Sequence, residues 1–260
     1  MELRAAWMSG CIPLRLRLDA GSFPMPHALL LKFPGTNCDA ETARALEAAG
    51  FTAEVLPVAL LEASSLDKAQ MIVFSGGFSY GDYVMSGRIA QLITKSKLGD
   101  QLKTFVDKGG YALGICNGFQ ILTQLDLLPK GSLIHNTSGK FICRWVGLKK
   151  TKGKASPYLS KLPENFELPV AHAEGRLVTE GDAAAGYVKS GHAALLYATN
   201  VNGSTNAIAG LQDDTGRVFG LMPHPERFIF KSQHYDPDWS GDTQYGWGHY
   251  LFQSAREALN

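Results

Sequence analysis

The stretch Gly109-Gly110-Tyr111-Ala112-Leu113-Gly114-Ile115-Cys116-Asn117-Gly118-Phe119-Gln120 constrains the fold more than any other. Tyr111 to Ile115 is a short apolar run that reads as a buried strand. Residues 118–125 carry apolar side chains at helical spacing. Cys116 therefore falls at a strand-to-helix turn, bracketed by Gly114 and Gly118. Glycine on each side lets the backbone pass closely, so such a turn can hold its central residue strained and exposed. The partial positive charge of a helix N-terminus favours the anionic form of a nucleophile placed there. The layout is that of a nucleophile elbow with Cys in place of Ser. The ordinary alternative is a buried packing cysteine.

The chain has 260 residues, enough for one large α/β domain or two small ones, and at 45% hydrophobic it can bury a proper core. A net charge of +1 gives no electrostatic footprint for nucleic acid and no basic membrane patch. The four cysteines, Cys11, Cys38, Cys116 and Cys143, form no C-x-x-C pair. That argues against a disulfide framework or a structural zinc site and fits a reducing cytoplasm. No apolar run reaches the length of a membrane span.

Residues 1–26 differ in character from the rest. Met1 to Trp7 could form a helical turn, and Arg15 to Leu18 alternate like a short strand, with Pro13, Gly21, Pro24 and Pro26 interrupting. With no continuous apolar segment and no small-residue cleavage site, this is read as an N-terminal extension, with Met25 as an alternative start. The domain proper is then 27–260.

Strands are expected at 28–33, 51–56, 71–74 and 111–115, with helices at 40–49, 89–93, 98–107 and 118–125 and a short helix or loop at 60–69. Asn37 or Asp39 is the expected cap of the first helix. Strands alternating with helices indicate a parallel sheet covered on both faces. After Pro129 the pattern changes to strands at 141–150, 166–170, 177–179 and 193–198 with few helices between them. A short buried strand at 218–222 and a final helix at 245–259 follow, the latter with Leu251, Ser254, Ala255 and Ala258 along one side. The segment 231–243 reads as an ordered loop.

His224 lies just past the end of the 218–222 strand, as Cys116 does past its own. In open α/β sheets ligands collect outside the carboxyl ends of strands. A Cys, a His, and an acid two residues further on (Glu226) supply the nucleophile, the base and its orienter. Gly76-Gly77 also follows a strand, so the Gly77 N–H could form an oxyanion hole with that of Asn117. Taken singly, each has a plainer alternative: a capping or core histidine, a solvated glutamate, an ordinary Gly-Gly turn. A metal reading of His-x-Glu plus Cys lacks third and fourth ligands at any sensible spacing.

Together these residues resemble the class I (triad) glutamine amidotransferases. The pieces are Phe33-Pro34-Gly35-Thr36-Asn37-Cys38-Asp39, Gly76-Gly77-Phe78-Ser79-Tyr80-Gly81-Asp82-Tyr83, Gly114-Ile115-Cys116-Asn117-Gly118-Phe119-Gln120, Ala171-His172-Ala173-Glu174-Gly175-Arg176, Asn202-Gly203-Ser204 and Met222-Pro223-His224-Pro225-Glu226-Arg227. Within that group the first two pieces are similar to the glutaminase-subunit family of phosphoribosylformylglycinamidine synthase. The resemblance covers about residues 28–259. It implies a flavodoxin-like α/β fold, with a central mostly parallel sheet, helices on both faces and a small extra β element.

The resemblance also implies roles. Cys116 attacks the side-chain amide of L-glutamine, His224 is the acid/base, Glu226 orients it, and the Gly77 and Asn117 amides stabilise the oxyanion. Gln120 and residues 172–176 resemble positions that hold the substrate's α-amino and carboxylate ends. Ammonia would pass to a synthetase (PurL-type) subunit, with a small PurS-type subunit bridging the two. ATP and magnesium would serve that synthetase, leaving no cofactor or metal for this chain. Residues 180–192 and 231–243 look like insertions, expected to touch the partner. Two competing readings are a stand-alone PfpI-type cysteine peptidase, which would not pair Cys116 with His224-x-Glu226, and a non-catalytic docking subunit.

Overall fold

Short, almost wholly apolar runs become the buried centre of a nine-stranded sheet in the computed structural model, which describes residues 25–82 and 85–259. The helical turn expected at Met1 to Trp7 and the strand at Arg15 to Leu18 lie outside the described residues. The strands are β1 (His27–Lys32), β2 (Thr52–Pro57), β3 (Met71–Phe74), β4 (Tyr111–Ile115), β5 (Ser132–Ile134), β6 (Ile142–Lys150), β7 (Asn165–His172), β8 (Arg176–Val178), β9 (Ala193–Tyr197), β10 (Ile208–Gln212) and β11 (Val218–Leu221). The helices are α1 (Asp39–Ala48), α2 (Arg88–Leu98), α3 (Gln101–Asp107), α4 (Asn117–Gln124), α5 (Ala183–Ser190) and α6 (Trp247–Ala258).

The main sheet runs β2-β1-β3-β4-β11-β10-β9-β6-β7, and β5 and β8 form a separate two-stranded piece. β2, β1, β3, β4 and β11 are parallel, whereas β10, β9, β6 and β7 extend the sheet in antiparallel fashion. Every residue of β3, β4 and β11 is buried, which is what helices on both faces of a parallel sheet require. The connection from β1 returns to one side of β1 and that from β3 goes to the other. Right-handed crossovers therefore put α1 and α2 on opposite faces. α1 packs on β1, β2 and α6; α4 packs on β3, β4, β11 and α2.

Several expectations need correction. The N-cap of α1 is Cys38, with no side-chain cap, and the Asp39 carboxylate instead accepts from Lys32 Nζ at 2.6 Å. The helix pair breaks at Gly99, whose φ of +52° ends α2, so Leu98 closes α2 rather than opening the next helix. Within the stretch read as an insertion, where no helix was expected, residues 183–190 form a helix packed on β9 and followed by Gly191 at φ +81°. β5 and β10 had no sequence counterpart. On α6, Phe252 is buried with Leu251, Ser254 and Ala255, while Ala258 is exposed. The 231–243 segment is ordered by aromatic packing. His234, Tyr235 and Trp239 gather around Trp145 and Phe228, with ring centroids 4.4–5.4 Å apart.

Candidate active site

Four loops leave the carboxyl edge of the parallel strands and converge. The Pro34–Asp39 loop follows β1, the Ser75–Asp82 loop follows β3, Cys116 follows β4 and His224 follows β11. The first two are zipped together by Phe78 N–H to Gly35 O (3.0 Å), Cys38 N–H to Gly76 O (3.2 Å) and Tyr80 N–H to Pro34 O (2.7 Å). Glycine is required at the crossing. A Cβ on Gly77, at φ +147°, would lie 2.8 Å from Asn37 N and Thr36 Cα. The two motifs thus form one unit of structure.

Cys116 is the residue before α4 and has φ +52° and ψ −105°, a conformation that costs a non-glycine residue of order 1–3 kcal/mol. The turn is tight because Gly118 passes over the end of β3, where an added Cβ would overlap Phe74 O. The expectation of a strained residue holds; that of an exposed one does not. Cys116 is 7% exposed, and its Sγ lies 3.8 Å from Ala171 O. It sits in the wall of a cavity of about 300 Å³ shared with Gly77, Gln120, His172, Glu174 and His224.

His224 and Glu226 are each 2% exposed, so the glutamate is no surface charge. His224 Nδ1 is 2.6 Å from Glu226 Oε1, which fixes the ring, while Nε2 has no protein partner. The backbone of His224 donates to Pro169 O at 2.8 Å, and α6 packs on the following turn through Gly248. Burial opposes protonation of His224. The Glu226 carboxylate and the charge of Cys116 outweigh it and hold the imidazole well above its ordinary pKa.

Cys38 is 1% exposed, and the sequence reading gave it no role. Its Sγ receives Arg227 Nη2–H at 3.1 Å, and Arg227 is held in turn by Glu41 at 3.0 Å. Burial, chiefly, pushes the Cys38 thiol up. Cys38 Sγ, a His224 nitrogen and a Glu226 oxygen lie within 4.8 Å of one another, so the fold supplies the third donor that sequence spacing lacked. The His224 Nδ1–Glu226 bond and the Arg227 cation already occupy this cluster, which favours a braced triad over a metal centre. The motif Asn37-Cys38-Asp39 was the available signal, but its closeness to His224 follows only from β1 lying beside β3.

Asn117 and Gln120 organise the other end of the cavity. Asn117 Oδ1 accepts from Ser79 N–H (3.3 Å), and its Nδ2 donates to Gln120 Oε1 (2.9 Å) and, at 3.4 Å, faces Asp82 Oδ1. Gln120 Nε2 donates to Glu174 O at 2.6 Å. His172 Nδ1 bonds Asn136 Oδ1 (3.1 Å), and Asn136 Nδ2 binds His172 O (2.9 Å), fixing the 172–175 turn. Burial, then the nearby His224, lowers the His172 pKa to about 4.

A strained cysteine elbow and a buried His–Glu pair on a doubly wound sheet define a triad amidotransferase arrangement. The CobB/CobQ-like glutamine amidotransferase domain matches residues 25–258. A phosphoribosylformylglycinamidine synthase subunit PurQ from Dehalococcoides mccartyi is 38% identical over 230 residues, covering 82% of this chain and 89% of that protein. One from Prochlorococcus marinus is 44% identical over 200 residues, covering 76% and 87%. Among solved structures, one described as PurLQS from Thermotoga maritima superposes with a TM-score of 0.75 at 35% identity, covering 91% of this chain and all of the matched chain. The chain belongs to the PurQ family of glutamine amidotransferases.

Proposed function

We propose that this chain is the glutaminase subunit of a phosphoribosylformylglycinamidine synthase. It would hydrolyse L-glutamine and deliver ammonia to a PurL-type synthetase subunit, with a small PurS-type subunit completing the assembly. The observation that carries the reading is the single cavity that holds Cys116 on its positive-φ turn together with His224, itself bonded to Glu226 at 2.6 Å.

His224 takes the Cys116 thiol proton, and Sγ attacks the side-chain carboxamide carbon of glutamine. The negative oxygen of the tetrahedral adduct receives the Gly77 and Asn117 N–H groups. Collapse breaks the C–N bond while His224 returns the proton to the leaving nitrogen, giving ammonia and a γ-glutamyl thioester. A water, deprotonated by His224, then releases glutamate and the thiol. Glu226 keeps the imidazole in one tautomer throughout. Gln120 braces Asn117 on one side and the Glu174 carbonyl on the other.

ATP and magnesium belong, on this reading, to the synthetase, which would convert formylglycinamide ribonucleotide to its amidine. The setting is the cytoplasm. Among the described residues Cys38, Cys116 and Cys143 are free thiols, and no helix is long and apolar enough to cross a membrane. The test is synthesis by the assembled complex with Cys116→Ala. Glutamine-dependent synthesis should vanish while synthesis from added ammonium continues. Loss of both together would refute the division of labour.

A further inference from the structure

Glu226 is a buried acid with few partners. Its side chain is enclosed, Oε1 bonds His224 Nδ1, and Oε2 has no protein partner. Among the described residues it makes no ion pair with a lysine or arginine. While His224 is an imidazolium, the two charges compensate each other. Each time the imidazole gives up its proton, a lone carboxylate remains in a dry setting, which favours taking a proton back.

The permanent charge beside this pair is Arg227, which lines the cavity with Cys38, Cys116 and His224. Arg227 Nε bonds Glu41 Oε1 at 3.0 Å, and Nη2 donates to Cys38 Sγ at 3.1 Å. The Cys38 thiol donates in turn to Asn37 Oδ1 at 3.4 Å, and its Sγ lies within 4.8 Å of a Glu226 oxygen and a His224 nitrogen. A Cβ added to Gly76 would lie 2.8 Å from His224 Cε1 and 3.2 Å from Cys38 Sγ, so thiol and imidazole rest on the same glycine. Two bonds, one of them from α1, thus hold the guanidinium one side chain away from the His–Glu pair. Burial works against the Arg227 cation, and the charges around it, Glu226 and Glu41 among them, more than offset that.

We propose that Arg227, pinned by Glu41 and Cys38, is a positioning residue of the reaction: its cation keeps Glu226 a carboxylate whenever His224 hands on its proton, so that Nδ1 keeps its hydrogen and Nε2 stays free to take the next one. This rests on the glutaminase reading of Cys116. A protonated Glu226 would instead donate to Nδ1 and drive the ring hydrogen to Nε2, where it blocks the base. The other titratable groups facing the pair do not replace Arg227. From β4 comes Cys116, which adds negative charge as a thiolate. From β7 comes His172, pushed down to about 4 chiefly by burial, and from the loop after β1 comes Cys38, whose thiol burial pushes up. α6 touches the turn at Gly248, and the adjacent His249 is itself lowered by burial. On α1, Glu41 is bonded to Arg227 and Asp39 to Lys32.

The test is the pH profile of kcat/KM for glutamine hydrolysis by the assembled complex, beside an NMR titration of the His224 ring in the full chain carrying Cys116→Ala. Without the cation the deprotonated pair is an uncompensated anion, so its proton leaves at higher pH. Arg227→Gln should therefore move the acid limb, and the ring titration with it, up by about one pH unit, the size expected of one charge at a partly exposed site. Arg227→Lys keeps the charge without the two-point grip and should leave both near their wild-type positions. Glu41→Gln breaks the same bracket but removes a negative charge, so both should stay or move down. A loss of kcat in Arg227→Gln with both titrations unmoved, or an upward shift in Glu41→Gln, would reduce Arg227 to a structural brace and overturn the assignment. Should Arg227→Gln fail to fold, the Glu41→Gln and Arg227→Lys titrations decide by the same signs. The ring titration needs no turnover. Its shift without any Cys116-dependent hydrolysis would retain the hold of Arg227 on the pair and reject the glutaminase reading.

Discussion

His224 Nδ1 and Glu226 Oε1 lie 2.6 Å apart, and both side chains are enclosed by protein. In a low-dielectric setting that bond fixes the ring orientation, and in the proposed mechanism it leaves Nε2 to exchange the proton with Cys116. Glu226→Gln keeps the shape but presents an amide whose NH₂ can point at Nδ1, favouring the wrong tautomer. Glutamine-dependent ammonia release should fall about 10³- to 10⁴-fold in kcat, with folding and complex assembly retained. Steady-state kinetics of the purified complex measures this. A loss under tenfold would mean that the carboxylate does not orient the base.

Gly118 should be the least tolerant position of the elbow. A Cβ there would overlap Phe74 O at the end of β3, and backbone cannot give way as a flexible side chain can. Gly118→Ala should cost at least about 3 kcal/mol in denaturant unfolding. The control is Gly186→Ala in the middle of α5, where an added Cβ meets nothing within 4 Å. That change should be neutral or stabilising by about 0.5–1 kcal/mol.

His172 gives the stability a defined pH dependence. Its pKa is about 4 when folded, against an ordinary value near 6.5. The unfolded chain therefore takes up this proton first as pH falls. Stability from this group is fully present above about pH 6.5 and is lost as pH drops toward 4. Between pH 7 and pH 5 the loss is about 2 kcal/mol. Unfolding of wild type and His172→Asn at the two pH values isolates it, since other carboxylates contribute to both proteins. The wild type should lose about 2 kcal/mol more than the variant on acidification. Equal losses would show that His172 is not the titrating group.

What the sequence disclosed and what it hid have physical reasons. β3, β4 and β11 are short apolar runs followed by glycine, cysteine or Pro-His, so both the strands and the loops that carry the chemistry were legible. Cys116, His224 and Gly77, placed at strand ends by the sequence, line one cavity together with Gln120, which only the resemblance singled out, while Glu226 and Asn117 are bonded to His224 and Gln120 behind it. β10 was hidden because Ile208-Ala209-Gly210-Leu211-Gln212 buries even its glycine and glutamine, so no alternation marks it. α5 is rich in alanine around Gly186 and buries little beyond Ala184, which leaves almost no apolar stripe. The Cys38–Arg227–Glu41 bracket and the Asp82–Asn117 contact join residues far apart in sequence. They depend on strand order, which local pattern does not encode.

The most direct test of the central claim is to treat the native protein with a glutamine-like alkylating analogue and locate the adduct by peptide mass spectrometry. The adduct should form on Cys116, should be suppressed by L-glutamine, and should be absent from Cys38, which is enclosed and whose thiol is pushed up by burial. An adduct that forms on Cys38 or on exposed Cys143 while Cys116 stays unmodified, or one that glutamine does not suppress, would contradict the account.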